Sequence, residues 1–520
     1  MKKPGLFILG LAAFAFALPQ NLYAFCGFYV AGGDASLFNN ATQVVLMRHD
    51  NRTVLSMQNN YDGPTDDFAM VVPVPVVLQE ANVQTLDAEL FNKIDQLSAP
   101  RLVEYWERDP CNPWMDMLED GAVNAAGGEP PNTDDVTVEA EFQVGEYDIV
   151  ILSANDASSL ETWLTSNQYN IPTGAAEHFT PYIEAGEYFF VAKVDATKVT
   201  FEDGKAVLSP LRFYYDSETF SLPVKLGLIN SQGTQDIIVY ILAVDQRYEV
   251  ANYDNVFIPT NLAVTEDVKE NFGPFYTSLF AETINQAPNS VVTEYSWNAS
   301  TCDPCPGPTL DATDYATLGA DVAGAPENSR NWVLTRLHAR YEADGLGQDL
   351  VFQTADPIVG GRQMYTWDGE ERGDLEQGAQ PGNVNNFQGR YIIYHPWDGE
   401  LTCDEGQEPV YGEWGGPDGD EASGTAGSAM SPNSTGEDVP QSNSDNHVTE
   451  LSSWLVNDLP ELNIVANGGN AGNNAVGGTN IEPGQQSQAC ACRESGSQTT
   501  TGLWGLALLF MGLLGFKRRD

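Results

Sequence analysis

Thr42-Gln-Val-Val-Leu-Met-Arg-His49, then Asp50-Asn51, then Arg52-Thr-Val-Leu-Ser-Met-Gln-Asn59 is the stretch that decides the fold class. Two runs of branched and long apolar side chains flank a two-residue turn, the pattern of a β-hairpin. The same signal recurs along the chain. Strands are expected within Val136–Leu152, and at Tyr188–Thr200, Ala206–Tyr215, Phe220–Ile229 and Asp236–Val244. Further strands are expected at Val291–Trp297, Asn331–Tyr341, Asp349–Thr354 and Arg390–Tyr394. Phe68-Ala-Met-Val-Val-Pro-Val-Pro75 is also extended, and its prolines place it at a sheet edge or near a strand end.

Helices are fewer. Leu90, Ile94 and Leu97 recur at helical spacing within Asp87–Leu97. Asp156 is an N-cap before a second helix, and Glu266–Asn285 is the longest helical stretch. The fold class is therefore α+β, β-rich, with mixed or antiparallel sheets and a few helices. A Gly/Pro/Asn/Asp-rich surface loop is expected at 119–135, and a Gly/Asp/Ala-rich linker at 307–329. Gly361–Glu370 and Gly389–Glu400 echo each other, each reading as a strand that ends in a Trp-Asp-Gly turn.

The two ends read as processing signals. Lys2-Lys3, the apolar run Leu6–Leu18 and Ala24 form a signal peptide over 1–24, with cleavage expected after Ala24. Cys26 raises a lipoprotein alternative, but Phe25 stands where a small residue is needed. Residues 490–520 begin with Cys490-Ala-Cys492, continue into an apolar stretch from Gly502 to Phe516, and end in Lys517-Arg518-Arg519-Asp520. Fifteen helical residues reach about 22 Å, short of a hydrocarbon core of about 30 Å. That length suits a transient sorting signal better than a permanent anchor. Its order of parts resembles the MYXO-CTERM sorting signal. The resemblance implies a sorting protease that cleaves near the cysteines, transient attachment to the inner membrane, and display at the cell surface or outer envelope.

Between the ends the expected divisions are a main β-rich α+β domain at 25–310, a β-rich extension at 311–403 packed on or following it, and a Gly/Ser/Asn/Asp-rich, largely disordered acidic linker at 404–489. Val448–Val465 is the one apolar patch in that linker, a segment able to dock on the main domain.

Lys and Arg number 24 against 73 Asp and Glu, a formal charge of −49. Loss of Lys2, Lys3, Lys517, Arg518, Arg519 and Asp520 would bring the mature chain near −53. Such a surface repels nucleic acid and anionic membrane, which are bound through cationic contacts. Solubility accounts for the acidity first, and divalent-cation binding second.

The chemistry-bearing candidates are few. Cys26, Cys111, Cys302, Cys305 and Cys403 are disulfide candidates in an exported chain, with the pairing open. Cys302-Asp-Pro-Cys305 also admits a redox or zinc reading. Pro306-Gly-Pro308 denies it the helix that activates a redox thiol, and zinc would need two further ligands. There is no Gly-x-Ser-x-Gly, no His-Glu-x-x-His and no phosphate loop. His49, His178, His338, His395 and His447 stand at no metal-ligand spacing and read as surface or packed histidines. The Trp-Asp-Gly-Glu turns offer Asp368, Glu370, Asp398 and Glu400 as weak ligands for calcium, or for sugar beside an indole face; the plain reading is two β-turns.

The chain resembles the bacterial domain of unknown function 2330 family over about residues 25–360. The residues that carry this are Phe25-Cys-Gly-Phe-Tyr-Val30, Phe68–Pro75, Pro210-Leu-Arg-Phe-Tyr-Tyr215 with Leu222-Pro-Val-Lys-Leu-Gly227, Cys302–Cys305, and Leu334-Thr-Arg-Leu-His-Ala-Arg-Tyr341. The resemblance implies a secreted or surface-attached protein and supplies no catalytic residue. The expected function is a non-enzymatic binding or envelope-associated protein with an unknown extracellular ligand and no resident cofactor apart from a calcium option. The alternatives are a secreted hydrolase using carboxylates and a calcium-stabilised adhesin.

Overall fold

The computed structural model describes residues 28–30, 38–62, 69–111, 140–167, 175–195, 197–202, 205–230, 235–325, 331–341, 347–363, 376–412, 414–415 and 451–467. They belong to one compact unit within Met1–Asn473. The expected signal peptide at 1–24, Cys26, the expected loop at 119–135, Asp368, Glu370, His447 and the expected sorting signal at 490–520 lie outside the described residues.

The main elements are β1 (Phe38–His49), β2 (Arg52–Asp62), β3 (Ala69–Val74), α1 (Glu89–Ser98), β4 (Arg101–Glu107), β5 (Tyr147–Leu152), α2 (Ala157–Ser166), α3 (Ala175–Glu184), β6 (Tyr188–Val194), β7 (Gln235–Val244), α4 (Phe272–Gln286), β8 (Val291–Asn298), β9 (Trp332–Tyr341) and β10 (Arg390–His395). The hairpin β1–β2 turns at Asp50, whose φ of 50° is the left-handed conformation that a short Asp tolerates. It opens the central sheet, whose middle runs β2-β1-β7-β9-β8. β1 and β7 are parallel, and the other pairs in that run are antiparallel. A five-stranded antiparallel sheet runs Phe28–Val30, β3, β6, β5, Glu141–Val144.

Side-chain alternation fixes how the layers stack. Val44, Leu46, Ile237, Val239 and Ile241 of the central sheet meet Met70, Val72, Ile149, Phe190 and Ala192 of the five-stranded sheet. The alternate residues Val71, Phe189 and Val191 turn outward under α2 and α3. On the far face of the central sheet, Val45, Met47, Ile238 and Leu242 pack under α1, while α4 covers Val292. The result is four layers: helices, small sheet, large sheet, helices. β4 and β10 pair in parallel beside this body, with Leu262–Ala263 and Trp414–Gly415 at the two edges.

Pro73 sits in β3 beyond the reach of Phe28–Val30, which pairs only with residues 69–71, so its missing N–H breaks no bond on that side. The expected Phe220–Ile229 strand is cut to Ser221–Leu222, followed by a 3-10 turn at Lys225–Asn230. Pro223 interrupts it, and the N–H groups of Val224 and Lys225 donate to Asp349 Oδ1 (2.8 and 3.0 Å) instead of to a ladder. The expected Glu266–Asn285 helix breaks into a 3-10 turn, Glu266–Lys269, and α4. Pro274 fits the first turn of α4 but could not continue an uninterrupted helix.

The expected linker at 307–329 contains helix instead. Asp311 caps Ala312–Tyr315 by accepting from the N–H groups of Thr313 and Asp314, and helical turns run on to Ala323. Leu310, Tyr315, Leu318 and Ala323 bury against the central sheet. At Gly319 (φ 132°) a Cβ would stand 2.6 Å from Val54, so only glycine lets this segment lie so close to β2. The 311–403 segment is threaded through the sheets: β9 lies between β7 and β8, and β10 lies beside β4. The linker expectation is also corrected at its start, whereas its apolar patch docks as its composition allows. Residues 404–412 and 414–415 lie along β4, and Leu451, Leu455, Leu459, Leu462 and Ile464 fill an apolar groove with Phe272, Phe275, Val264 and Tyr391.

Candidate functional site

The densest chemistry lies between the two helical covers of the central sheet. Arg336, His338 and Arg340 alternate along β9, so all three face α1 and α4. Asp236 and Tyr240 of β7 stand opposite Arg340 and Arg336. In β8, Thr293 pairs with Leu337 and Tyr295 with Arg336, which makes Glu294 an inserted bulge residue. The bulge flips the alternation, so both Glu294 and Tyr295 turn toward the helices.

The groups interlock. Arg336, fully buried, donates from Nε to Glu294 Oε2 (2.5 Å) and from Nη1 to Asp95 Oδ1 (2.6 Å). Tyr240 donates to the same Asp95 oxygen (2.6 Å), and Tyr276 of α4 donates to Glu294 Oε1. His338 lies between Glu294 Oε1 (Nδ1, 2.7 Å) and Asp236 Oδ1 (Nε2, 3.2 Å). Arg340 grips both oxygens of Asp236 (2.8 and 3.0 Å). The Phe280 ring covers His338 at 3.9 Å and lies under the Arg340 guanidinium.

Burial opposes ionisation of Glu294, but His338 and Arg336 overcome it and hold its carboxyl down at about 2. Asp236 is likewise held low against burial, by Arg340 and His338. Burial opposes charge on His338, yet Glu294 and Asp236 raise its pKa, so the imidazolium is favoured. Three carboxylates thus face two guanidiniums and one imidazolium. Every carboxylate named here is committed to an internal partner, which makes the cluster a charge-balanced node of the core.

A smaller cluster sits on the β4–β10 pair. Glu104 is buried, but Lys269 (2.9 Å) and His395 (2.8 Å) bond to its carboxylate and keep its pKa low. The His395 ring stacks on Trp106 at 4.6 Å. On the other side of the molecule the Glu187 carboxyl is pushed up to about 7, first by burial and then by the charge of Asp349. Asp349 is itself raised by burial, although it accepts from Tyr182 and two backbone N–H groups.

Of the candidates read from sequence, Cys111 and Cys403 form one disulfide and Cys302 and Cys305 another. The Cys302–Cys305 loop precedes no helix; the next helix starts at Ala312. Arg101, fully buried, holds the loop through the carbonyl of Pro304 (2.7 Å). Asp398 and Glu400 lie exposed on the turn after β10. Among the described residues no group of three or more His, Cys, Asp or Glu side chains is placed to hold a metal ion. His49 lies 3.7 Å from Asp50, and burial lowers the pKa of His178 on α3. Among the described residues no helix is long and apolar enough to cross a membrane; the 502–516 stretch lies outside them.

The sequence reading passed over Asp95, Asp236, Glu294, Arg336 and Arg340, and read His338 as merely packed. The signal was present: three cations at every second position of an otherwise apolar central strand demand buried acids on one face.

Residues 20–353 match the family described as "Uncharacterized protein conserved in bacteria (DUF2330)", and the chain belongs to that family. No curated protein matches the sequence. Among solved structures, the crystal structure of baculovirus P35 aligns over 62% of this chain and 98% of its own, at 12% identity and a TM-score of 0.24, a likeness too low to carry an argument.

Proposed function

We propose that this family member is an exported protein displayed at the cell surface, where the folded unit acts as a binding or envelope-associated module. The observation that carries the reading is the Cys111–Cys403 disulfide, which joins residues 292 positions apart. A cross-link of that span, with a second at Cys302–Cys305, suits a chain that matures in an oxidising compartment. The basic and apolar N-terminus and the MYXO-CTERM-like tail after Cys490 and Cys492 support the same route. Residues 404–412 and 451–467 pack on the body, so neither stretch belongs to a free tether.

Mass spectrometry of the mature, non-reduced protein tests this, together with protease shaving of intact cells. The expected result is an N-terminus after Ala24, a C-terminus near Cys490 or Cys492, both disulfides, and loss of the protein on shaving. An intact 520-residue chain with free thiols that survives shaving would overturn it. One observation favours a second reading, the carboxylate hydrolase: burial and the charge of Asp349 push the Glu187 carboxyl up to about 7, the range in which a carboxyl can exchange a proton as a general acid or base near neutrality. Turnover of a glycoside, ester or peptide panel that Glu187→Gln abolishes would establish it; no turnover would remove it.

A further inference from the structure

Seven large apolar side chains are well exposed among the described residues, and four of them, Trp397, Leu401, Val410 and Tyr411, fall within fifteen positions. Clustering of this kind marks an interaction surface more often than scatter does. The segment that carries them is pinned. The backbone N–H groups of Trp397 (3.0 Å) and Gly412 (2.7 Å) donate to the two oxygens of one carboxylate, Glu107. The Cys111–Cys403 disulfide holds its middle, and Val410 N–H donates to the Pro110 carbonyl (2.8 Å). Trp397, 38% exposed, and Tyr411, 60% exposed, therefore leave a single clamp.

The indole is also seated. A Cβ at Gly399 would stand 2.5 Å from the Trp397 ring, so the ring lies flat against its own turn. Asp398 and Glu400 flank it, both exposed, and residues 396–412 contain no Lys or Arg. An aromatic face held in place beside carboxylate acceptors fits the C–H face of a sugar ring whose hydroxyls need acceptors. The local negative charge disfavours uronic or sulfated chains. We propose that Trp397 and Tyr411 form a binding platform for a glycan that carries no acidic groups. This rests on the binding reading above and names the ligand class; pinning by a disulfide and a shared carboxylate lowers the ordering cost of binding.

The test is isothermal titration of the full-length chain with cellohexaose, maltohexaose and chitohexaose, with a hyaluronate hexasaccharide and a lysine hexapeptide as counter-probes. The expected result is saturable binding of at least one neutral hexasaccharide and none of hyaluronate. Trp397→Ala and Tyr411→Ala should each weaken it about tenfold or more, and Trp163→Ala, on α2, should leave it unchanged. Gly399→Ala, which keeps both aromatic rings but lifts the indole, should weaken it as well. No binding of any neutral hexasaccharide, binding that survives Trp397→Ala, or binding of the lysine peptide alone would each overturn the proposal. Shaving of intact cells is a separate readout, so surface display can stand where this platform fails.

Discussion

Arg336→Met removes the cation shared by Asp95 and Glu294 while keeping the length of the side chain. Breaking a buried ion pair by deleting one partner costs about 3–5 kcal/mol, because the remaining charge stays desolvated. Here two carboxylates lose the same guanidinium. Glu294 keeps His338 and the Tyr276 hydroxyl, and Asp95 keeps only the Tyr240 hydroxyl among the bonds described above. The loss at pH 7 should thus lie in the upper half of that range, about 4–5 kcal/mol. The pH dependence separates this from a packing defect. In the parent, Glu294 titrates near 2 and stays charged at pH 4. In the variant its pKa rises, so protonation at pH 4 relieves part of the burden and the gap between the two proteins narrows. Urea unfolding at pH 7 and pH 4, read by tryptophan fluorescence, measures both numbers. A loss below about 1 kcal/mol at pH 7, or an equal loss at both pH values, would refute the reasoning.

Glu187 has a folded pKa raised to about 7, so its favourable contribution is complete below about pH 4.5 and is lost as pH rises through 7. Glu187→Gln should therefore stabilise the protein at pH 8 by about 1–2 kcal/mol, after discounting for partial exposure, and change little at pH 4; thermal melts at the two pH values check this. Replacing Cys111 and Cys403 by serine should cost more than replacing Cys302 and Cys305. The chain-entropy relation gives about 5–6 kcal/mol for the long loop against about 2 for the short one, and equal shifts in urea midpoint would contradict it. Leu455, 1% exposed, anchors the 451–464 segment. Leu455→Asp should release that segment and open it to limited proteolysis, leaving the main unfolding transition in place; a global collapse would show that the segment is integral to the core.

Much of the fold was legible because alternation is a local signal. The β1–β2 hairpin, β7, β8, β9 and α1 lie where their apolar periods put them. What was illegible depended on distant partners. The helical turns at 312–323 looked like linker because Gly319, Gly324 and the acids dominate the composition, yet the Asp311 cap and the apolar set Leu310, Tyr315 and Leu318 were in plain view. The disulfide pairing needed the path that brings 403 beside 111. The charged node needed the β8 bulge, which no spacing rule reveals, because a single extra residue reverses the face of everything after it.

That bulge gives the node a role that a hydrophobic core would not fill. The β9 strand carries apolar residues on both faces: Leu337 and Ala339 toward the small sheet, Trp332 and Leu334 toward the helices. Hydrophobicity alone therefore discriminates poorly between the native register and a one-residue slip. The alternating cations discriminate strongly. A slip would drive Arg336, His338 and Arg340 into the Ile237–Val239–Ile241 layer, with no acid to meet them. We infer that the node specifies register more than it adds stability. The quadruple replacement Asp95→Leu, Glu294→Leu, Arg336→Met, His338→Leu, which removes two carboxylates with two cations and leaves the Asp236–Arg340 pair intact, should then unfold within about 2 kcal/mol of the parent, since buried ion pairs exchanged for apolar side chains of similar volume are often neutral or stabilising. It should nonetheless lose a single well-ordered state, seen as doubled or broadened backbone amide signals for β8 and β9. One sharp set of signals, at any stability, would return the node to an ordinary stabilising role.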